Sequence, residues 1–192
     1  MSEIELHPLP LFLPENAHLL MLGSFPPAKH RWSMDFYYPN LQNDMWRIFG
    51  LIFFNDKDFF LVSSKQAFDK EKIITFLIQK GIAMGDTAQT IRRLKDNASD
   101  NFLEVIKPLE ISQTLSHLPD CQTIVTTGQK ATDVLLSLLH AAEPKIGEYS
   151  SFVFENRNLN WYRMPSSSRA YPMPLEQKAI VYKSLFTQCG LL

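Results

Sequence analysis

The chain has 192 residues, 45% of them hydrophobic and 20% charged, with a formal net charge of −1. That length and balance suit a single domain, 1–192, with a sizeable core; they leave no room for a long disordered tail and do not advertise a polyanion partner through overall charge. No run of 18 apolar residues occurs and residues 1–14 lack a basic leader, so membrane-spanning and secretory readings fail and a cytoplasmic monomer is expected.

In chain order, HLLMLG (18–23) is the first continuously apolar segment, the pattern of a strand covered on both faces. A helix is expected over 43–54, with Trp46, Phe49 and Phe53 on one face. The stretch 54–67 that follows is rich in aromatic residues and carries no functional reading. A second helix, 71–80, begins after Asp69 as N-cap and stops at Gly81. GIAMG (81–85) and TIVTT (123–127) are further buried strands. Between 129 and 140, Ala131, Val134, Leu135, Leu138 and Leu139 form the stripe of a helix lying on a sheet. LNWYRM (159–164) is the fourth strand, and a last helix, 175–188, starts just after Pro174.

Strands alternating with helices predict an α/β fold, a three-layer α/β/α sandwich with a mainly parallel four-stranded sheet. Ligands of such sheets gather at the carboxyl ends of the strands, here 23–27, 86–89, 127–130 and 165–169. Cys121 and Cys189 are the only cysteines, and the five histidines show no HxxxH or HExxH spacing. No metal site and no other cofactor is expected. Local charge is more informative than the total. Arg157, Arg163 and Arg169 fall in a stretch without acids, Lys29, His30 and Arg31 form a second basic spot, and Arg92, Arg93 and Lys95 a third. Small phosphate footprints fit that distribution better than long-range steering.

Three segments carry candidate chemistry. GSFPP (23–27) is a rigid loop whose backbone can approach a ligand closely. In FYYPNLQNDMW (36–46), Pro39 biases Tyr38 towards an extended conformation with its ring held outward, suited to stacking on a base. Asn43 opens the following helix, either as its cap or at a helix N-terminus that binds polar groups. RMPSSSRAYP (163–172) offers three hydroxyls and two arginines for successive phosphates, or for a turn built by serine side chains.

Taken in order, GSFPP, YYPNLQNDMW, TTGQKA and MPSSSR resemble the uracil-DNA glycosylase superfamily, with most likeness to its mismatch-specific and hypoxanthine-DNA glycosylases. The matches run from Gly23 to about Leu185. The resemblance implies that Tyr38 stacks on an extruded base, and that Asn43, from an Asn-x-Phe-Trp motif with Met45 in place of Phe, is the catalytic residue. It implies that Ser166, Ser167 and Ser168 pinch the DNA backbone and that Arg169 fills the vacated space, although the loop is one residue shorter before the Arg. Lys130 of the TTGQKA joint is expected as a further DNA contact, and Gly23, Ser24 and Phe25 are expected to face the base; Asp86, ranked below Asn43, either faces the same cleft or caps the turn that follows it. One departure stands out. Many relatives have Asn in the first loop, where it positions the attacking water, and this chain has Phe25. The hypoxanthine-type branch also lacks that Asn and depends on the Asn of the second segment, which puts the weight on Asn43.

The implied activity is that of a monofunctional DNA glycosylase removing a deaminated base, uracil or hypoxanthine, with DNA as partner and no membrane. The alternative is a glycosylase-like module that binds damaged DNA or nucleotides without hydrolysis, which Phe25 favours. A phosphoryl or sugar enzyme on an unrelated α/β fold would need a phosphate loop that the sequence lacks.

Overall fold

The computed structural model describes residues 4–94 and 102–192. Lys95 of the third basic spot lies outside them. In chain order the elements are β1 (Ile4–Leu6), β2 (Leu19–Gly23), α1 (Met45–Phe54), α2 (Lys70–Lys80), β3 (Ile82–Asp86), β4 (Ala88–Arg93) and β5 (Leu103–Pro108). They continue with α3 (Ile111–Ser116), β6 (Thr123–Thr127), α4 (Gln129–Leu138), β7 (Tyr149–Phe154), β8 (Arg157–Met164) and α5 (Leu175–Gln188).

The main sheet has the order β3-β2-β6-β8-β7. Its first four strands are parallel and β7 adds an antiparallel edge. The four parallel strands are those expected from continuous apolarity, and β2, β3 and β6 are buried at every position. Along β2 the residues alternate between faces. Leu19 and Met21 pack with α1, α2 and α5, while Leu20 and Leu22 pack with α3 and α4. The result is the three-layer α/β/α sandwich.

Local chemistry sets the helix ends. Asp69 caps α2 by accepting from Lys72 N at 3.1 Å, and Gly81 ends it at φ 63°. The expectation for α1 needs correction at its start: the helix begins at Met45, with Asp44 at the cap position. The aromatic stretch after α1 proves to be core. Phe60 and Phe68 are buried, Phe59 stacks on Phe54, and Phe60 meets Phe76 of α2 edge-on.

A second sheet, β1-β4-β5, is antiparallel and was not legible as strands. The chain passes into it directly from β3 through Thr87, whose N–H donates to Gly23 O at 2.8 Å. Residues before β2 run along the other side of β3, where Phe12 and Met84 exchange backbone hydrogen bonds. That course brings His7 to the carboxyl end of β3. Among the described residues no helix is long and apolar enough to cross a membrane.

Candidate active site

Gly23, Asp86, Thr127 and Met164 end the four parallel strands, so the loops that follow them share one rim of the sheet. Three of these ends converge. A Cβ placed on Gly23 would lie 2.5 Å from Asp86 Oδ1 and 3.2 Å from the Tyr38 hydroxyl. That hydroxyl in turn lies 2.8 Å from Thr127 Oγ1. Gly23 is required here because the carboxylate and phenol occupy the space of any side chain.

Tyr38 does not adopt the extended conformation expected before Pro39. Its φ is 52°, in the left-handed region that a bulky residue enters only when its surroundings dictate it. The Thr127 contact and the edge of Trp46, 6.2 Å between centroids, are two of those surroundings. Tyr37 and Phe36 are core, so the row of rings is not one platform.

Phe25 is buried, its side chain packing with Ala88, Ile91 and Leu103 beneath the second sheet. The ring thus supports the loop rather than offering a polar atom to the rim. Its edge meets His7, 5.0 Å between centroids at 77°. His7 Nε2 lies 2.8 Å from Asp86 Oδ2, a contact between residues 79 positions apart that no local pattern announces. Burial lowers the His7 pKa, but the hydrogen bond and charge of Asp86, with the Leu9 carbonyl, outweigh it and leave a net upward shift from 6.5. A cavity of about 270 Å³ adjoins the pair, lined among others by Tyr37, Gln89 and Leu109.

The second half of the rim is the serine loop. Residues 42–44 pair with 167–169: Asp44 N donates to Ser167 O at 2.8 Å, Arg169 N to Gln42 O at 3.2 Å, and Asn43 bridges Ser168. Asn43 is half-buried, and its Oδ1 accepts from Met45 N at 2.9 Å. It therefore caps the first turn of α1 from one residue before the cap position. Ser168 N donates to Ser166 Oγ and Ala170 N to Ser168 Oγ, both at 3.2 Å, so the loop is braced by its own hydroxyls. Ser167 is buried, while Ser166 and Ser168 are half-buried. Gly128, at φ 88°, donates its N–H to Met164 O and faces Ser166 at 3.5 Å from a built Cβ. Lys130 stands half-buried in the first turn of α4 behind it.

Two residues missed in the sequence hold this half together. Buried Asp44 binds Arg169 Nε at 3.0 Å and Lys178 Nζ at 3.1 Å, and Lys178 also donates to Ser168 O at 2.8 Å. Lys178 was visible as a lysine on the buried stripe of α5, with Tyr182, Leu185 and Phe186. The other basic expectations change as well. Arg157 donates to the carbonyls of Leu115, Leu118 and Cys121, and Arg163 to Glu143 and Gln129. Arg92 and Arg93 pair with Glu104 and Glu5. Those four arginines are committed to the fold. Lys29, His30 and Arg31 form an exposed helical turn. Among the described residues no group of three or more His, Cys, Asp or Glu could hold a metal ion.

Against this geometry, one solved structure is informative. The chain superposes with a TM-score of 0.66 on the solution NMR structure of a Methanosarcina acetivorans protein provisionally named a uracil DNA glycosylase. The two are 21% identical, and the match covers 98% of this chain and 99% of the other. The fold is therefore uracil-DNA-glycosylase-like. No protein-family model matches the sequence, and a search of curated protein sequences finds no match.

Proposed function

We propose that the protein is a monofunctional DNA glycosylase that hydrolyses the N-glycosidic bond of a flipped, deaminated base, uracil or hypoxanthine. The observation that carries this reading is the pairing of 42–44 with 167–169 on the rim where Gly23, Asp86 and Tyr38 converge. It gathers a candidate base pocket, a candidate water-holding amide and a loop for the DNA backbone onto one edge of the sheet.

A base stacked in a duplex is out of reach, so it must be extruded at a cost of a few kcal/mol. The Tyr38 ring, fixed by Thr127 and Trp46, stacks on the base and offsets part of that cost. Asp86 accepts from its edge. Arg169 is half exposed and leaves Asp44 with Lys178 as partner when it moves into the duplex. Ser166 and Ser168 contact the backbone, Ser167 contributes its place in the pairing, and Lys130 lies behind the same loops.

Bond breaking passes through an oxocarbenium-like state, for which a held water is enough. Asn43 Oδ1 accepts one hydrogen bond from Met45 N, and an amide oxygen has capacity for a second, from the attacking water. Backbone N–H groups of the Gly23–Phe25 turn stabilise the departing base as it gains charge. The reading is tested with oligonucleotides carrying uracil, hypoxanthine or other deaminated bases, in single and double strands. Abasic sites should form with wild type and be lost with Asn43→Ala while lesion binding persists; no abasic site from any substrate at any pH overturns it. The burial of Phe25 supports one other reading, a lesion-binding module without hydrolysis, which predicts tight binding that Asn43→Ala leaves unchanged.

A further inference from the structure

We propose, resting on the glycosylase reading above, that His7 is a positioning residue for Asp86. It holds the carboxylate as an acceptor-only edge of the base pocket and balances its charge, so that bases presenting a ring N–H are selected and cleavage weakens as pH rises.

The His7 ring is clamped. Its backbone N–H donates to Gln89 O at 2.8 Å, one side meets the edge of Phe25, and Tyr37 lies 6.0 Å away at a 30° tilt. Phe25, which stands where the resemblance expects a polar group, is thus a wall for the imidazole. A carboxylate only accepts, so Nε2 carries the proton towards Asp86 Oδ2 in both charge states. Nδ1 has two neighbours on one residue, Leu9 O at 2.9 Å and Leu9 N at 3.2 Å. The imidazolium donates to the carbonyl and the neutral ring accepts from the N–H. Titration changes the charge of the pair while the ring keeps its place.

With Oδ2 taken by His7, Oδ1 is the oxygen nearest the Gly23 position, which the Tyr38 hydroxyl also approaches. An acceptor in that position bonds the ring N–H of uracil or hypoxanthine and repels the ring-nitrogen lone pair of cytosine or adenine. As the glycosidic bond breaks, the base gains negative charge. An unbalanced carboxylate opposes that charge and an imidazolium–carboxylate pair does not. Among the described residues, the titratable groups facing the ring are Asp86 and the Tyr37 phenol. Burial holds the Tyr37 pKa far up, and its hydroxyl donates to Pro10 O at 3.0 Å. His7 is the group whose ordinary range lies near neutrality.

The test is the single-turnover rate on oligonucleotides with uracil, hypoxanthine or cytosine at one position, measured from about pH 5.5 to 9 for wild type, His7→Gln, His7→Ala and Asp86→Asn. The His7 imidazole is followed by NMR in wild type and Asp86→Asn. Wild-type rates should fall as pH rises through the His7 titration. His7→Gln keeps a donor without a titration and should flatten the profile; His7→Ala should lose about tenfold at the acid end, less than the about 10²–10³ for a donor that touches the developing charge, because His7 acts through Asp86. Asp86→Asn adds an N–H to the edge and should narrow the preference over cytosine, and should lower the His7 pKa. Wild type that cleaves while His7→Gln and His7→Ala keep its rate and profile, or a His7 titration unmoved by Asp86→Asn, overturns this proposal alone. Wild type that cleaves nothing overturns the glycosylase reading and this proposal together.

Discussion

Lys178 Nζ, a fully buried ammonium in α5, stands 3.1 Å from Asp44 Oδ2 at the start of α1. The pair joins the aromatic–Asn segment to the serine loop through the core. The second cation on Asp44, Arg169, is half exposed. The two arms should therefore differ in weight. Leaving a buried charge with no partner costs about 3–5 kcal/mol; Arg169 stays on Asp44 when Lys178 is removed, so Lys178→Ala should destabilise the protein by about the lower end of that range, with Ser168 O also losing its donor. Denaturant unfolding checks it.

Arg169→Ala should cost about 1 kcal/mol or less, because exposed pairs contribute little. Under the glycosylase reading it should nonetheless reduce cleavage of double-stranded substrate strongly and of single-stranded substrate much less, since only a duplex leaves a gap to fill. Stability near wild type combined with a duplex-selective loss of rate would separate the DNA role of Arg169 from its role in the fold.

Asn43 carries two roles that can be pulled apart. Asn43→Ala removes the acceptor for Met45 N and should cost about 1 kcal/mol, the usual worth of such a cap, together with cleavage. Asn43→Ser keeps a short oxygen able to cap and should recover most of the stability without recovering cleavage. Melting curves set beside single-turnover rates decide between the roles; recovery of both by Ser would show that Asn43 acts only through the fold.

Gly23→Ala should be costly although the change is one methyl. Its Cβ would sit 2.5 Å from Asp86 Oδ1, and that carboxylate is held from behind by His7. Overpacking of this kind costs about 1–3 kcal/mol. Because the carboxylate must shift, the His7 pKa should fall in the same variant, a change visible by NMR.

Much of this arrangement is local chemistry and was readable as such. Continuous apolar runs gave the four parallel strands, and Asp69 and Gly81 marked both ends of α2. The strand ends and the SSS loop fell on the rim because the carboxyl ends of parallel strands collect the loops. What stayed hidden depends on distant partners. β1, β4 and β5 mix polar and apolar residues on a half-exposed sheet. Tyr38 takes a positive φ against the bias of the following proline because Thr127 and Trp46 hold its ring. Asp44 meets Lys178 across 134 positions and His7 meets Asp86 across 79, distances at which spacing carries no information.

His7 should also make folding stability depend on pH. Its pKa in the folded protein lies above 6.5, the ordinary value that the unfolded chain has. The folded state therefore binds the proton more tightly than the unfolded state. The resulting stabilisation is fully present below about pH 6.5 and is lost as pH rises through the folded-state pKa. His7→Gln retains a donor for Asp86 but cannot titrate, so it removes this pH-dependent part while keeping the contact. The stability of wild type relative to His7→Gln should be greatest near about pH 5.5 and smaller near about pH 8.5, following the linkage sign for a raised histidine. Asp86→Asn removes the charge that raises the pKa and leaves burial, which lowers it, so the same dependence should flatten or reverse. Thermal or denaturant unfolding of the three proteins at both pH values measures it, and a difference that grows with rising pH would show that His7 is not held by Asp86 in solution.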